Sequence, residues 1–388
     1  MRRYAALLLV SLLLGGFWAW ANAAEAPPQK LDVPYEPSHP EVVKAMLELA
    51  QVGPQDIVYD LGCGDGRIVV AAARDFKARG VGIDLDPQRI RESQENAERA
   101  GVTDRVRCAI GDIMKAEFGD ASVVALYLWP EVNVRLRPVL FRQLQPGTRV
   151  VSHDHDMADW KADKTILHEK ATGGGEIYFW VMPARAGGIW RWRGGVGNQE
   201  IPVGMTVNQE FQRITAELSL DGGAPVDASL AQLDGTRIQI AANGNLAGKP
   251  VTMRCSGTVE GNLMIGTQTW QVGEQSATQD WEARREAVDP VGTWQVRAAP
   301  SRLPAPEGEL IIRRGADNRL AAQYVVADAA QDLWHFYAWG ASLRFDVPAR
   351  GTQASFWGLI EGDTIRGTLG LASRPPRTAQ WTAPRVSR

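Results

Sequence analysis

Three glycines at alternate positions lie in the segment Asp60-Leu61-Gly62-Cys63-Gly64-Asp65-Gly66-Arg67, directly after the apolar run Ile57-Val58-Tyr59. Glycine has no Cβ, so the backbone of such a segment can approach a ligand closely. An apolar strand that runs into these glycines is typical of a nucleotide-binding turn. The spacing differs from the G-x-G-x-x-G of dinucleotide folds, which hold a pyrophosphate at a helix N-terminus. The sequence therefore predicts a nucleotide-type ligand that is held differently from a dinucleotide.

A second acid stands at the end of the next predicted strand, where Asp84 closes the short apolar run from Gly80 to Leu85. An acid in this position lies beside the glycine loop and can accept hydrogen bonds from both hydroxyls of a ribose. The alternative is an acid that starts the following helix. Asp86, followed by Pro87, already fills that position. We therefore predict that Asp84 binds a ribose.

The pattern D-x-G-x-G-x-G from Asp60 to Gly66 resembles motif I of the class I S-adenosylmethionine (SAM) methyltransferases. The resemblance implies a class I fold and SAM as the cofactor, with Gly62, Gly64 and Gly66 at its binding site. It also implies that Asp60 either orders the glycine loop or meets the methionine ammonium of SAM.

The same resemblance assigns roles to Asp112 and Ile113 at the end of the third predicted strand. In methyltransferases an acid here often accepts a hydrogen bond from the adenine amino group, and the next residue lies against the ring. The alternative for Asp112 is an ordinary turn residue. We predict that both residues bind the cofactor.

Strands and helices alternate from Asp56 to about Ala184, which indicates a parallel sheet covered on both faces. The predicted strands are Asp56 to Leu61, Gly80 to Leu85, Val106 to Ile110, Ser122 to Trp129 and Arg149 to Ser152. The predicted helices are Arg67 to Phe76, Pro87 to Gly101, Glu131 to Leu144 and one opened by a Ser38–Glu41 capping box. Thr165 to His168 and Ile177 to Met182 then predict a closing hairpin, which the class I methyltransferase fold has and a dehydrogenase fold lacks.

A narrower resemblance covers roughly Val33 to Pro183. The segments that carry it are Val33-Pro34-Tyr35-Glu36-Pro37-Ser38, Glu41 to Leu47, Tyr59 to Val69, Leu128 to Asn133 and Val151-Ser152-His153-Asp154. They are similar to bacterial relatives of the ATP-synthase c-subunit lysine methyltransferase, although Glu36 and His39 depart from that pattern. The resemblance implies a protein lysine amine as the methyl acceptor.

By that resemblance, the loop from Tyr35 to Ser38 folds over SAM and the segment from Trp129 to Glu131 lines the methyl-transfer site. We therefore assign Ser38 to cofactor binding and Tyr35, Trp129 and Glu131 to the catalytic site. An amine with a reference pKa of about 10.4 must arrive neutral, so it needs desolvation or an acceptor for its proton. Glu131 either orients such an amine or is a first-turn helix acid.

The run His153-Asp154-His155-Asp156 could form a metal site, because in an extended chain the two histidines share one face, and two histidines with an acid can bind a divalent ion. No further clustered ligands accompany it in the sequence. Polar residues at strand ends in this fold commonly border the substrate cleft. We therefore predict cleft lining and no metal, with an ordinary loop as the alternative.

After about Gly187 the helical patterns vanish, and short apolar runs separated by Gly, Asn and Asp predict all-β structure. The segment Gly257 to Thr267 repeats as Gly358 to Thr368, and Trp190 corresponds to Trp294. We predict two repeated β modules, sandwiches or barrels, at residues 187–288 and 289–388. Their tryptophans are either core residues or a sugar-stacking surface, and the matched positions favour core.

The N-terminus resembles a signal peptide, with Arg2 and Arg3, an apolar run from Leu7 to Leu14 and a small-x-small site ending at Ala23. We predict cleavage after Ala23, a methyltransferase domain at residues 24–186 and an exported, periplasmic protein. The alternative is an uncleaved anchor that faces the periplasm.

The formal charge of −3 argues against a nucleic-acid partner, whose binding surface is usually basic. We predict a protein substrate and a possible association with the envelope, while the oligomeric state is not indicated.

Three cysteines do not make a disulfide framework, so we interpret them as packing residues. The alternative function is an exported protein that binds SAM or a related nucleoside without methyl transfer.

Overall fold

The computed structural model describes residues 34–169, 174–298, 307–333, 336–349, 352–371 and 377–387. The predicted signal peptide and Val33 lie outside these ranges. Within the ranges, the chain forms one α/β layer followed by two antiparallel sheets. No helix among the described residues is long and apolar enough to cross a membrane.

The first sheet is covered by four helices. Its strands are β1 (Ile57–Leu61), β2 (Arg79–Asp84), β3 (Val106–Ile110), β4 (Val123–Leu126), β5 (Arg149–His153), β6 (Lys164–His168) and β7 (Gly175–Val181). The helices are α1 (Pro40–Leu49), α2 (Arg67–Phe76), α3 (Pro87–Arg99) and α4 (Pro130–Gln143). The strand order is β3-β2-β1-β4-β5-β7-β6, with β1 to β5 parallel and β7 antiparallel to both its neighbours. This topology confirms the predicted class I methyltransferase fold.

The central strand β4 shows why these sequences form a covered sheet. All four of its residues are buried. Val123 and Ala125 pack with α1 and α2 on one face, and Val124 and Leu126 pack with α4 on the other. A strand buried on both faces must be apolar throughout, which is the pattern in the sequence.

Two predicted boundaries are wrong. Ser38 does not cap α1, because its hydroxyl bonds the His153 ring; His39 is the N-cap residue and accepts the Glu41 N–H at 3.4 Å. The fourth strand ends at Leu126 and not at Trp129. The segment from Tyr127 to Trp129 instead leaves the sheet and leads into α4, which starts with Pro130.

The two β modules are antiparallel sheets of nine strands each. The first module contains β8 (Gly188–Gly194), β9 (Ile201–Glu210), β10 (Arg213–Leu220), β11 (Val226–Asp227), β12 (Leu230–Asp234), β13 (Arg237–Leu246), β14 (Lys249–Glu260), β15 (Leu263–Val272) and β16 (Gln275–Arg285). The second contains β17 (Gly292–Ala298), β18 (Gly308–Arg314), β19 (Leu320–Val326), β20 (Ala329–Asp332), β21 (Phe336–Trp339), β22 (Ser342–Ala349), β23 (Thr352–Glu361), β24 (Thr364–Leu371) and β25 (Arg377–Ser387).

The modules have the same strand order. The first is β11-β10-β9-β8-β16-β15-β14-β13-β12 and the second is β20-β19-β18-β17-β25-β24-β23-β22-β21. Each sheet curls on itself, since β10 contacts β12 and β19 contacts β21. The two segments that repeat in sequence occupy equivalent hairpins, in which Gly257 pairs with Gly266 and Gly358 with Gly367.

The tryptophans that match between the modules are core residues. Trp190 and Trp294 are fully buried, and their indole N–H groups donate to the carbonyls of Ala186 at 2.8 Å and Pro290 at 3.0 Å. A guanidinium covers each ring, from Arg285 at 4.3 Å and from Arg385 at 4.0 Å. These contacts confirm the core interpretation for this pair.

Candidate active site

A cleft of about 940 Å³ opens at the carboxyl ends of β1, β2, β3 and β4. Five segments line it, together with Arg89 of α3 and Val132 of α4: residues 34–38, the glycine loop, residues 84–86, residues 112–113 and residues 127–128. They bring together most of the predicted site residues: Tyr35, Ser38, Asp60, Gly62, Gly64, Asp84, Asp112 and Ile113. Gly66, Trp129 and Glu131 do not line the cleft.

The glycine loop requires glycine at each of its three positions. Gly62, Gly64 and Gly66 have φ values of +89°, +51° and +73°, which other residues rarely adopt. A Cβ at Gly62 would lie 2.7 Å from a Leu128 methyl, and one at Gly64 would lie 2.6 Å from the Tyr35 ring. Gly66 instead packs α2 against α3, because its Cβ would lie 2.7 Å from the Cβ of Ser93.

Asp84 holds the glycine loop in place. One carboxylate oxygen accepts the Gly64 N–H at 2.8 Å, and the other accepts the Asp86 N–H at 2.9 Å. Asp86 in turn caps α3 by accepting the Gln88 N–H, as predicted. The Asp84 carboxylate is therefore fixed at the cleft wall, and each oxygen has a remaining lone pair for a ligand hydroxyl.

Asp60 is buried at the end of β1, with 2% of its surface exposed, and lines the cleft. Within the part of the chain that the structure describes, its carboxylate has no hydrogen bond or ion pair. Burial raises its pKa well above the ordinary value, and Cys108, Asp84 and Asp65 raise it further. A buried carboxylate without a partner is stabilised when a cation binds to it. The geometry therefore favours the ammonium-binding role over the ordering of the loop.

The charges along the cleft suit a cationic ligand. Six acids line it, Glu36, Asp60, Asp65, Asp84, Asp86 and Asp112, against the two bases Arg67 and Arg89. Both bases are already paired, Arg67 with Asp65 at 2.8 Å and Arg89 with Asp86 at 3.7 Å. The excess of negative charge complements SAM, whose sulfonium and ammonium outnumber its carboxylate.

Asp112 has the turn role that the sequence left open. One of its carboxylate oxygens accepts the Met114 N–H at 2.9 Å, and the other lies 3.3 Å from the Lys115 ammonium. Asp112 and Ile113 nevertheless lie together on the cleft wall. Their contacts with adenine stay a prediction.

The loop of residues 34–38 covers the glycine loop. The Tyr35 ring lies on Gly64 and carries the Arg89 guanidinium 4.4 Å from its centre. Arg67 joins the two loops, donating to the Ser38 carbonyl at 2.7 Å and to the Asp65 carboxylate.

His153 supports the cleft wall from behind. Its Nδ1 is 2.9 Å from the Ser38 hydroxyl, and its ring packs against the Tyr127 ring, tilted by 34° with the ring centres 4.2 Å apart. Burial lowers the pKa of His153, so the ring is neutral at physiological pH. Among the residues with described positions, no group of three His, Cys, Asp or Glu side chains is placed to hold a metal.

The predicted acceptor-side residues lie at the rim. Trp129 is the N-cap residue of α4 and is 47% exposed, and Glu131 is an exposed acid in the first helical turn. Val132, one residue further on, does line the cleft. The catalytic roles of Trp129 and Glu131 stay predictions.

Sequence reasoning missed Tyr127 and Arg89, which both line the cleft. Tyr127 directly follows β4, at the carboxyl edge of the sheet where ligands bind in this architecture. Burial, Glu36 and Asp154 raise its pKa, so the phenol stays protonated. That position next to the Asp60 strand was the signal that could have identified Tyr127.

We expect Asp84→Ala to weaken SAM binding by about 1–3 kcal/mol, because ribose hydroxyls and the Gly64 N–H lose their acceptor. Calorimetric titration of SAM measures this change. Asp104→Ala is a matched control, since this exposed acid lies beyond α3 and away from the cleft. Unchanged affinity in the Asp84 variant would remove the ribose assignment.

Comparison with known proteins agrees with the fold and the cleft. The profile of the ANTKMT methyltransferase domain matches residues 60–164. A protein-lysine N-methyltransferase from Saccharolobus islandicus (strain REY15A) is 42% identical over 151 residues, which cover 39% of this chain and 94% of that protein. The ATP-synthase c-subunit lysine N-methyltransferase of Mus musculus is 32% identical over 173 residues, which cover 44% of this chain and 65% of that protein.

The crystal structure of an RNA methyltransferase from Salinibacter ruber in complex with S-adenosyl-L-homocysteine is also similar. It is 50% identical, covers 38% of this chain and 93% of its own, and superposes with a TM-score of 0.36. The sheet order, the glycine loop and the family profile define a class I SAM-dependent methyltransferase. With most of the Saccharolobus enzyme covered at this identity, the chain belongs to the protein-lysine N-methyltransferase family.

Proposed function

We propose that this protein transfers methyl groups from SAM to a lysine side chain of a protein outside the cytoplasmic membrane. The observation that carries the SAM assignment is the buried, unpartnered Asp60 carboxylate on the wall of the cleft. The lysine acceptor is supported by the names of the relatives. The compartment is supported by the signal-like segment that ends at Ala23.

The residues of the cleft fit SAM group by group. Asp60 would accept from the ammonium, Asp84 would accept from the ribose hydroxyls, and Ile113 would lie against the adenine. Gly62 and Gly64 let Leu128 and Tyr35 pack directly on the loop, because a Cβ at either position would occupy the space of these side chains. Tyr35 and the rest of its loop would exclude water from the bound cofactor.

SAM supplies a methyl group on a positively charged sulfur, which an amine displaces in line. The protein's task is therefore to align a neutral lysine amine with that methyl, which is catalysis by proximity and orientation. Tyr35 and Trp129 are large exposed aromatics near the cleft, and they suit a lysine stem that must lose its hydration. Glu131 would orient the amine or take its proton.

The two β modules are proposed to hold the protein substrate or to attach the enzyme to the envelope. The buried positions of Trp190 and Trp294 favour this over a sugar-stacking surface at these rings. Both modules pack against the methyltransferase domain. Phe211 of the first module stacks on Trp160 at 5.8 Å, and Tyr337 of the second donates to the Pro138 carbonyl at 2.7 Å.

The test is methyl transfer from tritiated SAM to envelope extract of a strain that lacks this protein, followed by mass spectrometry of the labelled bands. We expect peptides that gain one or more methyl groups on lysine. Gly64→Val protein is the control and should label nothing. Label in RNA, label on another side chain, or SAM binding without transfer would each contradict the proposal.

A further inference from the structure

A second cavity, open to solvent, lies where the methyltransferase domain meets both β modules. We call it the junction cavity. The last turn of α4 and the residues from Met182 to Arg185 form one wall. Phe211 of the first module and Trp357 of the second form another, with ring centres 4.9 Å apart. None of its lining residues belongs to the SAM cleft.

The junction cavity is strongly basic. Four arginines line it, Arg142, Arg185, Arg285 and Arg344, and no aspartate or glutamate within the described ranges does so. Burial and the Arg185 guanidinium lower the pKa of Arg285 to about 10, and burial lowers the pKa of Arg185 and Arg344. Arg344 is buried and Arg285 half-buried, whereas Arg142 and Arg185 are exposed. Like charges that line one cavity raise the free energy of the folded protein, and a bound anion would offset that cost.

Contacts within the protein fix two of these side chains. Arg285 lies over Trp190 and donates to the carbonyls of Gly187 and, at 3.0 Å, Gly261. Arg344 is held between the Trp357 ring at 4.0 Å and the Phe211 ring at 4.7 Å, with the Asp346 carboxylate 3.5 Å away. The guanidinium groups are therefore preorganised, which lowers the entropy cost of binding a ligand.

A purely structural explanation covers only part of the cluster. Arg142 lies in the last turn of α4, where the helix dipole favours a cation, and Arg185 donates to the Phe141 carbonyl at 3.2 Å. Arg285 and Arg344 each keep a buried Nε–H group without a hydrogen-bond partner among the described residues. Buried donors of this kind are rare in folded proteins.

We propose that the junction cavity binds a small multivalent oxyanion, of the phosphate-ester or pyrophosphate class. Guanidinium groups recognise such oxygens through paired hydrogen bonds. Phe141, Phe211 and Trp357 supply an apolar wall for an organic body attached to the anion. The excess of arginine here is the opposite of the excess of acid in the SAM cleft, so the two sites select ligands of opposite charge.

The test is calorimetric titration of the whole protein with inorganic pyrophosphate, without SAM, at fixed ionic strength. We expect saturable binding near one site per chain. Arg142→Gln/Arg185→Gln should weaken it roughly 10- to 100-fold, the effect of losing charge-assisted hydrogen bonds. Arg193→Gln/Arg237→Gln removes the same charge from exposed positions of the first module and should leave binding unchanged.

Absence of saturable binding to the wild-type protein would overturn the proposal, and so would an equal loss in both double variants. If the junction variant does not fold, the single variant Arg142→Gln serves, because this residue is exposed. Titration with citrate in place of pyrophosphate distinguishes a site for carboxylates from a site for phosphates. We expect citrate to bind more weakly than pyrophosphate, and tighter citrate binding would overturn the phosphate assignment. Because SAM is absent, the outcome does not depend on methyl transfer.

Discussion

Gly64→Val is expected to abolish SAM binding. The residue has a φ of +51°, which a β-branched side chain does not tolerate, and its Cβ would lie 2.6 Å from the Tyr35 ring. The substitution would therefore distort the glycine loop and displace the loop that covers it. Its N–H would also lose its place against the Asp84 carboxylate. Titration with SAM should give no measurable heat.

Gly53→Val is the matched control for this variant. Gly53 lies before β1, no heavy atom lies within 4 Å of its would-be Cβ, and its φ is not in the left-handed region. SAM affinity should be unchanged in the control. The β modules should keep their thermal transition in both variants. Normal SAM binding by the Gly64 variant would mean that the ligand does not lie against this backbone.

Asp60→Asn is expected to weaken SAM binding and, at the same time, to stabilise the free protein at neutral pH. The amide has no negative charge to pair with the methionine ammonium, so affinity should fall by about 1.5–3 kcal/mol, the value of a hydrogen bond to a charged group. The free protein no longer carries a buried, unpartnered carboxylate. Calorimetry with SAM and thermal unfolding without it measure the two effects.

The pH dependence of this variant follows from the raised pKa of Asp60. A carboxyl whose pKa is higher in the folded state stabilises the fold fully below its unfolded pKa, and that stabilisation is lost as pH rises through the folded value. The Asp60→Asn variant should therefore exceed the wild type in stability at neutral pH, with the difference vanishing in acid. Wild-type SAM affinity should fall as pH drops through the raised pKa.

For affinity, the control is the variant itself, because Asp60→Asn protein has no carboxyl at this position and should bind SAM equally weakly across the same pH range. Two results would contradict the account. One is a variant less stable than the wild type at neutral pH. The other is a wild-type affinity that does not change with pH while Asp60 titrates.

Local patterns in the sequence predicted the parts of the site that local physics determines. A left-handed backbone position favours glycine, so Gly62 and Gly64 could be assigned to the loop from the sequence alone. Asp86 with Pro87 marks the start of α3 because a helix needs a cap. The short apolar strand between the glycine loop and α3 ends at Asp84, so the position of this acid could be predicted as well. These inferences need only neighbours along the chain.

The rest of the site depends on contacts between distant segments. Ser38 has the spacing of a helix cap, but its hydroxyl bonds the ring of His153, which lies 115 residues further along the chain at the end of β5. Tyr127 belongs to an apolar run that predicts a longer strand, yet the strand ends at Leu126 and Tyr127 lines the cleft. The four arginines of the junction cavity come from separate segments, which no spacing could bring together.

The central claim is that the cleft between the glycine loop and the loop of residues 34–38 binds a sulfonium nucleoside. Isothermal titration of the purified protein with SAM, and with its demethylated product, tests it most directly. We predict saturable binding of both ligands at one site per chain, weakened in Asp84→Ala and Asp60→Asn protein. Absence of binding by the wild type, or equal binding by all three proteins, would contradict the claim.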